Sequence, residues 1–246
     1  MEDYDRIEIV YIFDEEPSLS SYESLFEEFP TYPGPEYSTD EFSMSYRDEN
    51  QGVNEVYDFG KYDDVIQVIS TYPNWSISVP LAHDELTVVS NQGGVGLLSE
   101  SPHFLEFTTW IYGLEDTEDE EHRNRVEQRR QEFVEVLAQA ADILEPTWGF
   151  GRRGGLAIGE DETIEDLATR TKPPLYEYNV FREETVEAIG RERVLSAPAY
   201  YVEELDWGGV FMAVTEPPRQ CGHEDQPCDE VAEHLGLPLA NTERYH

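Results

Sequence analysis

The chain has 246 residues, 39% of them hydrophobic and 12% aromatic, and its 54 Asp and Glu against 16 Lys and Arg leave a formal charge of -38. That length and apolar content can bury a core in one large or two small domains, which excludes wholesale disorder despite the acid excess. No apolar run reaches the ~20 residues of a membrane span, and so few bases disfavour a nucleic-acid binder that must neutralise phosphates.

Only two of the 16 bases, Lys61 and Lys172, are lysines. Self-repulsion at this charge opposes compaction in dilute buffer, but at molar salt the screening length falls to about 3 Å and the carboxylates become tolerable. The composition therefore reads as halophilic. Thermal stability is expected to rise from dilute buffer to molar KCl; an equal melting temperature in both would remove the halophilic reading. The opening Met1-Glu2-Asp3-Tyr4-Asp5 lacks the basic-then-apolar order of a signal peptide, so the cytoplasm is expected, with Cys221 and Cys228 as thiols and no structural disulfide.

In chain order, Arg6 to Phe13 is a β-branched apolar run that predicts a buried strand, followed by a short helix near Ser20 to Phe29. Glu41 to Tyr46 alternates as a strand, and Asp63 to Tyr72 suits a helix. From Trp75 to Tyr112 the period is two, with runs at 75–79, 86–89, 95–98 and 104–112 that predict an antiparallel meander. Thr117 with Glu120 forms a capping-box pattern, and Val126, Phe133, Leu137, Ala140, Ala141 and Leu144 keep helical spacing to Pro146. That helix would run about 28 residues, or about 42 Å. Beyond it the sequence predicts a Gly-rich turn at 149–155, a helix near 163–169 and a strand at 176–181. A helix over 183–189 stops at Gly190, two strands at 200–205 and 210–214 flank a turn at 206–209, and a last helix spans 227–235. The expected fold is α+β, a mostly antiparallel sheet with a long amphipathic helix packed on it. It is one domain over 1–246, or two subdomains, 1–145 and 146–246.

Gly149-Phe150-Gly151-Arg152-Arg153-Gly154 spells G-x-G-x-x-G, but a dinucleotide site needs that pattern between a strand and a helix, and here a long helix precedes it. No cofactor is expected. Arg152 and Arg153 are exceptional in so acidic a chain and are candidate partner contacts. Cys221, His223, Cys228 and His234 are the metal-ligand types, although their spacing matches no common zinc pattern. In the final helix His234 lies about 120° from the face shared by Cys228, Val231, Ala232 and Leu235. Arg123, Arg125, Arg129 and Arg130 read as a self-compensating helix surface, because Asp119 and Glu121 precede Arg123 and Arg125 by one helical turn. No catalytic residue can be nominated: 54 acids generate every carboxylate spacing by chance.

The segment from Trp148 to about Leu237 resembles the immunity-type proteins that accompany secreted toxins in bacterial competition systems. The resemblance rests on Trp148-Gly149, Tyr176-Glu177-Tyr178-Asn179-Val180-Phe181, Ala188-Ile189-Gly190 and Gly208-Gly209-Val210. It implies a non-catalytic α+β protein whose partner is a toxin-like protein. Trp148, Arg152, Arg153, Tyr200, Tyr201 and Trp207 are the candidate partner-binding residues, since aromatic and arginine side chains anchor interfaces. The alternative is an enzyme of unrecognised type with a pocket near 148–153 and Trp207.

Overall fold

The computed structural model describes residues 5–28, 41–48, 51–58, 62–81, 85–91, 98, 103–221 and 228–240. The first part of the chain forms β1 (Arg6–Ile12), α1 (Leu19–Glu28), β2 (Glu41–Asp48), β3 (Gln51–Asp58), α2 (Tyr62–Thr71), β4 (Asn74–Pro80), β5 (Glu85–Asn91), β6 (Phe104–Trp110) and α3 (Glu120–Leu144). The remainder forms β7 (Trp148–Arg153), α4 (Ile164–Thr169), β8 (Tyr178–Phe181), α5 (Glu183–Ile189), α6 (Arg191–Leu195), β9 (Tyr201–Glu204), β10 (Val210–Ala213) and α7 (Cys228–Leu235). The strands make one antiparallel sheet in the order β3-β2-β4-β5-β6-β1-β7-β8-β10-β9.

This overturns the expected architecture of one long helix on a sheet. Ten strands and seven helices form the described fold, and the helices cover both faces of the sheet. The reason is visible in β1, whose residues are apolar on both sides. Ile7, Ile9 and Tyr11 join α1, α2 and α3 in one core, whereas Val10 and Ile12 join α4 to α7 in a second. A strand buried on both faces needs a helical layer on each. The first core runs the length of the sheet, from Phe42 on β2 to Phe211 on β10. The second lies mainly under β1, β7, β8 and β10.

α3 locks onto the first face through packing and one buried polar contact: the Tyr11 hydroxyl donates to the Leu137 carbonyl at 2.7 Å. Burial raises the Tyr11 phenol well above its ordinary pKa, so it stays a donor. Thr117 does not cap this helix as expected. Its hydroxyl accepts from the Asp119 amide at 3.2 Å, and the helix starts at Glu120.

β7 is the largest local surprise. The stretch expected as a Gly-rich turn is a central strand, paired with β1 on one side and β8 on the other. Its glycines leave room for neighbours rather than bend the chain. A Cβ on Gly149 would lie 2.7 Å from Val180 Cγ2 and 2.9 Å from Tyr11 Cδ1, and one on Gly151 would lie 2.4 Å from Ile9 Cγ1. Phe150 and Trp148 point the other way and stack at 4.4 Å in the second core.

Two further elements differ from expectation. β3 was not foreseen, because Gln51 to Asp58 shows no apolar alternation, with Val53 and Val56 on opposite faces, and it lies mostly exposed at the sheet edge. α6 follows α5 directly, with Gly190 at the join in a positive-φ conformation (φ 107°) that glycine alone adopts without strain. Of the run expected at 95–98, all but Leu98 lies outside the described residues.

The second face carries a half-buried acid. Glu106 on β6 is raised in pKa first by burial and then by the Glu8 carboxylate, with the Thr108 hydroxyl and Arg6 acting in the opposite direction. A raised carboxylate pKa favours the protonated form in the folded state, so ionisation removes stability as pH rises through the folded value. Glu106→Gln is therefore expected to raise the urea midpoint at pH 7 and to leave it unchanged near pH 3.5, where both forms are neutral. A midpoint lowered at pH 7 would contradict that assignment.

Candidate functional site

The described surface has an open cleft of about 620 Å³ at the β3 end of the sheet. One wall is the β2–β3 hairpin, which contributes Tyr46, Glu55, Val56 and Tyr57. The other is α2, whose Asp64, Gln67, Val68 and Thr71 recur at helical spacing and so share the face turned to the hairpin, together with Tyr72 just past its end. Val65 and Ile69 on the adjacent face are buried in the first core and anchor the helix.

The hairpin register sets the other side chains. Tyr57 stands opposite Phe42, Glu55 opposite Met44 and Val53 opposite Tyr46. Phe42 and Met44 are buried, so the odd-numbered β3 residues project toward the α2 face. Phe42 and Tyr57 stack at 5.7 Å, and Tyr46 stacks on Tyr72 at 4.5 Å. Glu55 Oε2 accepts from the Tyr57 hydroxyl and, at 3.4 Å, from that of Tyr46. Desolvation first, then Glu55, raises both phenols above their ordinary pKa, so they remain protonated donors at neutral pH. The cleft thus presents aromatic faces, two carboxylates and a sheet edge; none of its lining residues is basic.

The sequence-nominated residues fall elsewhere and do not form one patch. Trp148 and Arg152 are 2% and 1% exposed, on β7 in the second layer. Trp148 packs between Phe150 and Tyr176. Arg153 is half-buried; its amide donates to Glu177 Oε2 at 2.6 Å and its guanidinium to the Pro218 carbonyl at 3.2 Å. Tyr200, Tyr201 and Trp207 are partly exposed and pack against the first core, near the β9 edge. The Trp207 indole donates to the Ala141 carbonyl at 3.2 Å. Trp148 and Trp207 therefore contribute to different cores, on opposite faces of the sheet.

The metal-ligand types are also resolved in part. Cys221 and Cys228 form a disulfide with a Cα–Cα distance of 5.7 Å, contrary to the expected thiols, so neither sulfur is available as a thiolate ligand. They meet because Cys228 opens α7 on its buried face, against the same core as Cys221. His234, on another face as its helical position requires, bonds the Arg193 carbonyl at 2.9 Å. His223 lies outside the described residues. Closing a loop this short restricts the unfolded chain by an amount worth roughly 2–3 kcal/mol. Cys221→Ala with Cys228→Ala is expected to cost about that in urea unfolding, and wild-type protein in dithiothreitol to follow the variant.

Comparison places this fold beside a known one. No family model matches the chain, and no curated protein matches it. Among solved structures, the Pseudomonas aeruginosa T6SS protein PA0821 is similar, with a TM-score of 0.53 over 96% of this chain and 76% of that chain. The likeness is one of fold. At 13% identity it carries no residue of one protein onto the other. It spans both halves of the chain, whereas the resemblance read from the sequence lies after Trp148. No described helix is long and apolar enough to cross a membrane.

None of the cleft residues was nominated from sequence. The available signal was the tyrosine spacing: Tyr46, Tyr57 and Tyr72 recur in a segment that also carries Glu55 and Asp64.

Proposed function

We propose that the chain is a non-catalytic binding protein of a secretion-competition system, an immunity-type neutraliser that holds a toxin-like protein. The observation that carries this reading is the fold likeness to a T6SS protein across 96% of the chain. The residues of the sequence resemblance, from Trp148 to the Gly208-Gly209-Val210 turn, support it independently. The cleft at the β3 edge suits such binding, because a strand at the end of the described sheet beside an aromatic groove is a recurrent way to seize another chain. The acidic exterior suits a high-salt setting, where it keeps the free protein soluble without strong self-repulsion.

The test is co-expression. The products of the genes next to this one are expressed singly and with this chain. On this reading one of them arrests growth alone, is tolerated when the chain is present, and co-purifies with it as a stable complex in molar KCl. If no neighbouring product arrests growth, or if relief comes without a complex, the reading fails.

A further inference from the structure

We infer that the cleft between β3 and α2 receives an arginine side chain from an extended segment of a partner protein, laid as an added strand along the β3 edge. The inference deepens the binding reading, and rests on it for the partner's existence, but the cleft's chemistry stands by itself.

The first argument is topological. β3 ends the order of the described strands, so its outer row of backbone N–H and C=O groups pairs with no described strand. On β3 Val56 is 65% exposed on the face away from α2, an apolar side chain that the alternate side chains of an added strand would cover. An added strand gains a ladder of backbone hydrogen bonds, and its side chains alternate between the two faces of the sheet. Every second residue then falls on the α2 side, where the cleft opens.

The second argument is chemical. An apolar side chain in the cleft would desolvate Glu55 and Asp64 without compensation, and an acidic one would add a like charge. A cation meets both carboxylates and the faces of tyrosine rings, an arrangement that attracts it twice over. Arginine fits better than lysine, because the planar guanidinium lies flat on the Tyr46–Tyr72 stack while its N–H fork reaches Glu55. The two tyrosine hydroxyls already hold one Glu55 oxygen, which fixes the carboxylate before the ligand arrives. In molar salt the exposed ion pair is screened, whereas ring stacking and the backbone ladder persist.

The probe is the peptide acetyl-Thr-Val-Arg-Val-Thr-amide, titrated into the full chain and followed by NMR of the tyrosine rings. A second peptide carries citrulline, the neutral isostere, in place of arginine. Saturable binding of the arginine peptide is expected, at least about fivefold tighter than the citrulline peptide and weakened by a similar factor or more in Glu55→Gln. Gln67→Lys, at an exposed helix position on the cleft wall, should abolish it by placing a competing cation there. Melting temperatures of both variants confirm folding, and Gln67→Lys decides the matter where Glu55→Gln melts early. No saturable binding, equal binding of the two peptides, or arginine-peptide binding untouched by Gln67→Lys overturns the inference. A neighbouring-gene toxin that binds the Gln67→Lys chain as tightly as wild type overturns the cleft assignment and leaves the neutraliser reading standing. Arginine-peptide binding with no toxin found supports the cleft and counts against the neutraliser.

Discussion

Gly151→Ala is expected to destabilise the chain by about 3 kcal/mol or more, a large fraction of the stability of an ordinary domain. The new methyl would sit 2.4 Å from Ile9 Cγ1 and 2.7 Å from both the Glu8 carbonyl oxygen and Ile9 Cα. Two of those three atoms are backbone, and β1 is held by β6 on its far side, so the strand cannot retreat without breaking its ladder. Gly149→Ala meets only side chains, Val180 and Tyr11, which can adjust, and should cost less. Gly52→Ala on the exposed edge strand meets nothing within 4 Å and should be neutral or slightly stabilising, since alanine restricts the unfolded chain. Urea midpoints at fixed KCl for the three variants rank them. If Gly151→Ala unfolds no more easily than Gly52→Ala, β7 is not the tight central strand described above.

Arg130→Met should cost about 3 kcal/mol. The guanidinium was expected on a self-compensating helix surface, yet its side chain is 4% exposed. Its Nε–H donates to the Leu114 carbonyl at 2.8 Å, and its terminal nitrogens reach Asp116 at 2.8 Å and Glu216 at 3.0 Å. One buried cation thus ties the middle of α3 to the loop after β6 and to the turn after β10. Methionine fills the volume but leaves the Leu114 carbonyl without that donor. Lysine restores charge without the fork, so Arg130→Lys should fall between methionine and wild type. The hydrogen bond from Arg130 also holds the Asp116 carboxyl below its ordinary pKa. A lowered carboxylate pKa gives stability that is present above the unfolded value and lost as pH falls through the folded one, that is, below about pH 4. Arg130→Met should therefore flatten the acid limb of the stability profile as well as lower its plateau. Unchanged unfolding in the methionine variant would refute this role for Arg130.

These two residues show where local sequence stops being informative. Glycine at 149 and 151 carries the local signature of a turn, and nothing nearby in sequence states that Tyr11, Ile9 and Val180 will occupy the space of the missing side chains. Arg130 stands on a helix with three other arginines, and only the folding of Leu114, Asp116 and Glu216 around it makes it different. Elements whose burial follows their own periodicity were legible. β1 reads as an unbroken apolar run from Ile9 to Ile12 because both its faces are covered there, β4 alternates because one face is, and α3 shows its stripe from Val126 to Leu144. β3 was hidden for the converse reason: an edge strand buries too little to leave a pattern. The double covering of the sheet was hidden too, since strands and helices that alternate without βαβ rhythm give no cue to the face each helix takes. The cleft inherits both obscurities. It is made by an edge strand without a hydrophobic signal and a helix wall whose partner is fixed only by the hairpin register.

The stoichiometry of protection tests the central claim most directly. A neighbouring-gene product that arrests growth is purified, and its toxic activity is titrated with this chain in molar KCl. A neutraliser that works by occupation predicts a linear loss of activity ending at a fixed, near-equimolar ratio. Complete protection by a small fraction of an equivalent would mean turnover, and no protection at any ratio would mean no binding; either contradicts the account.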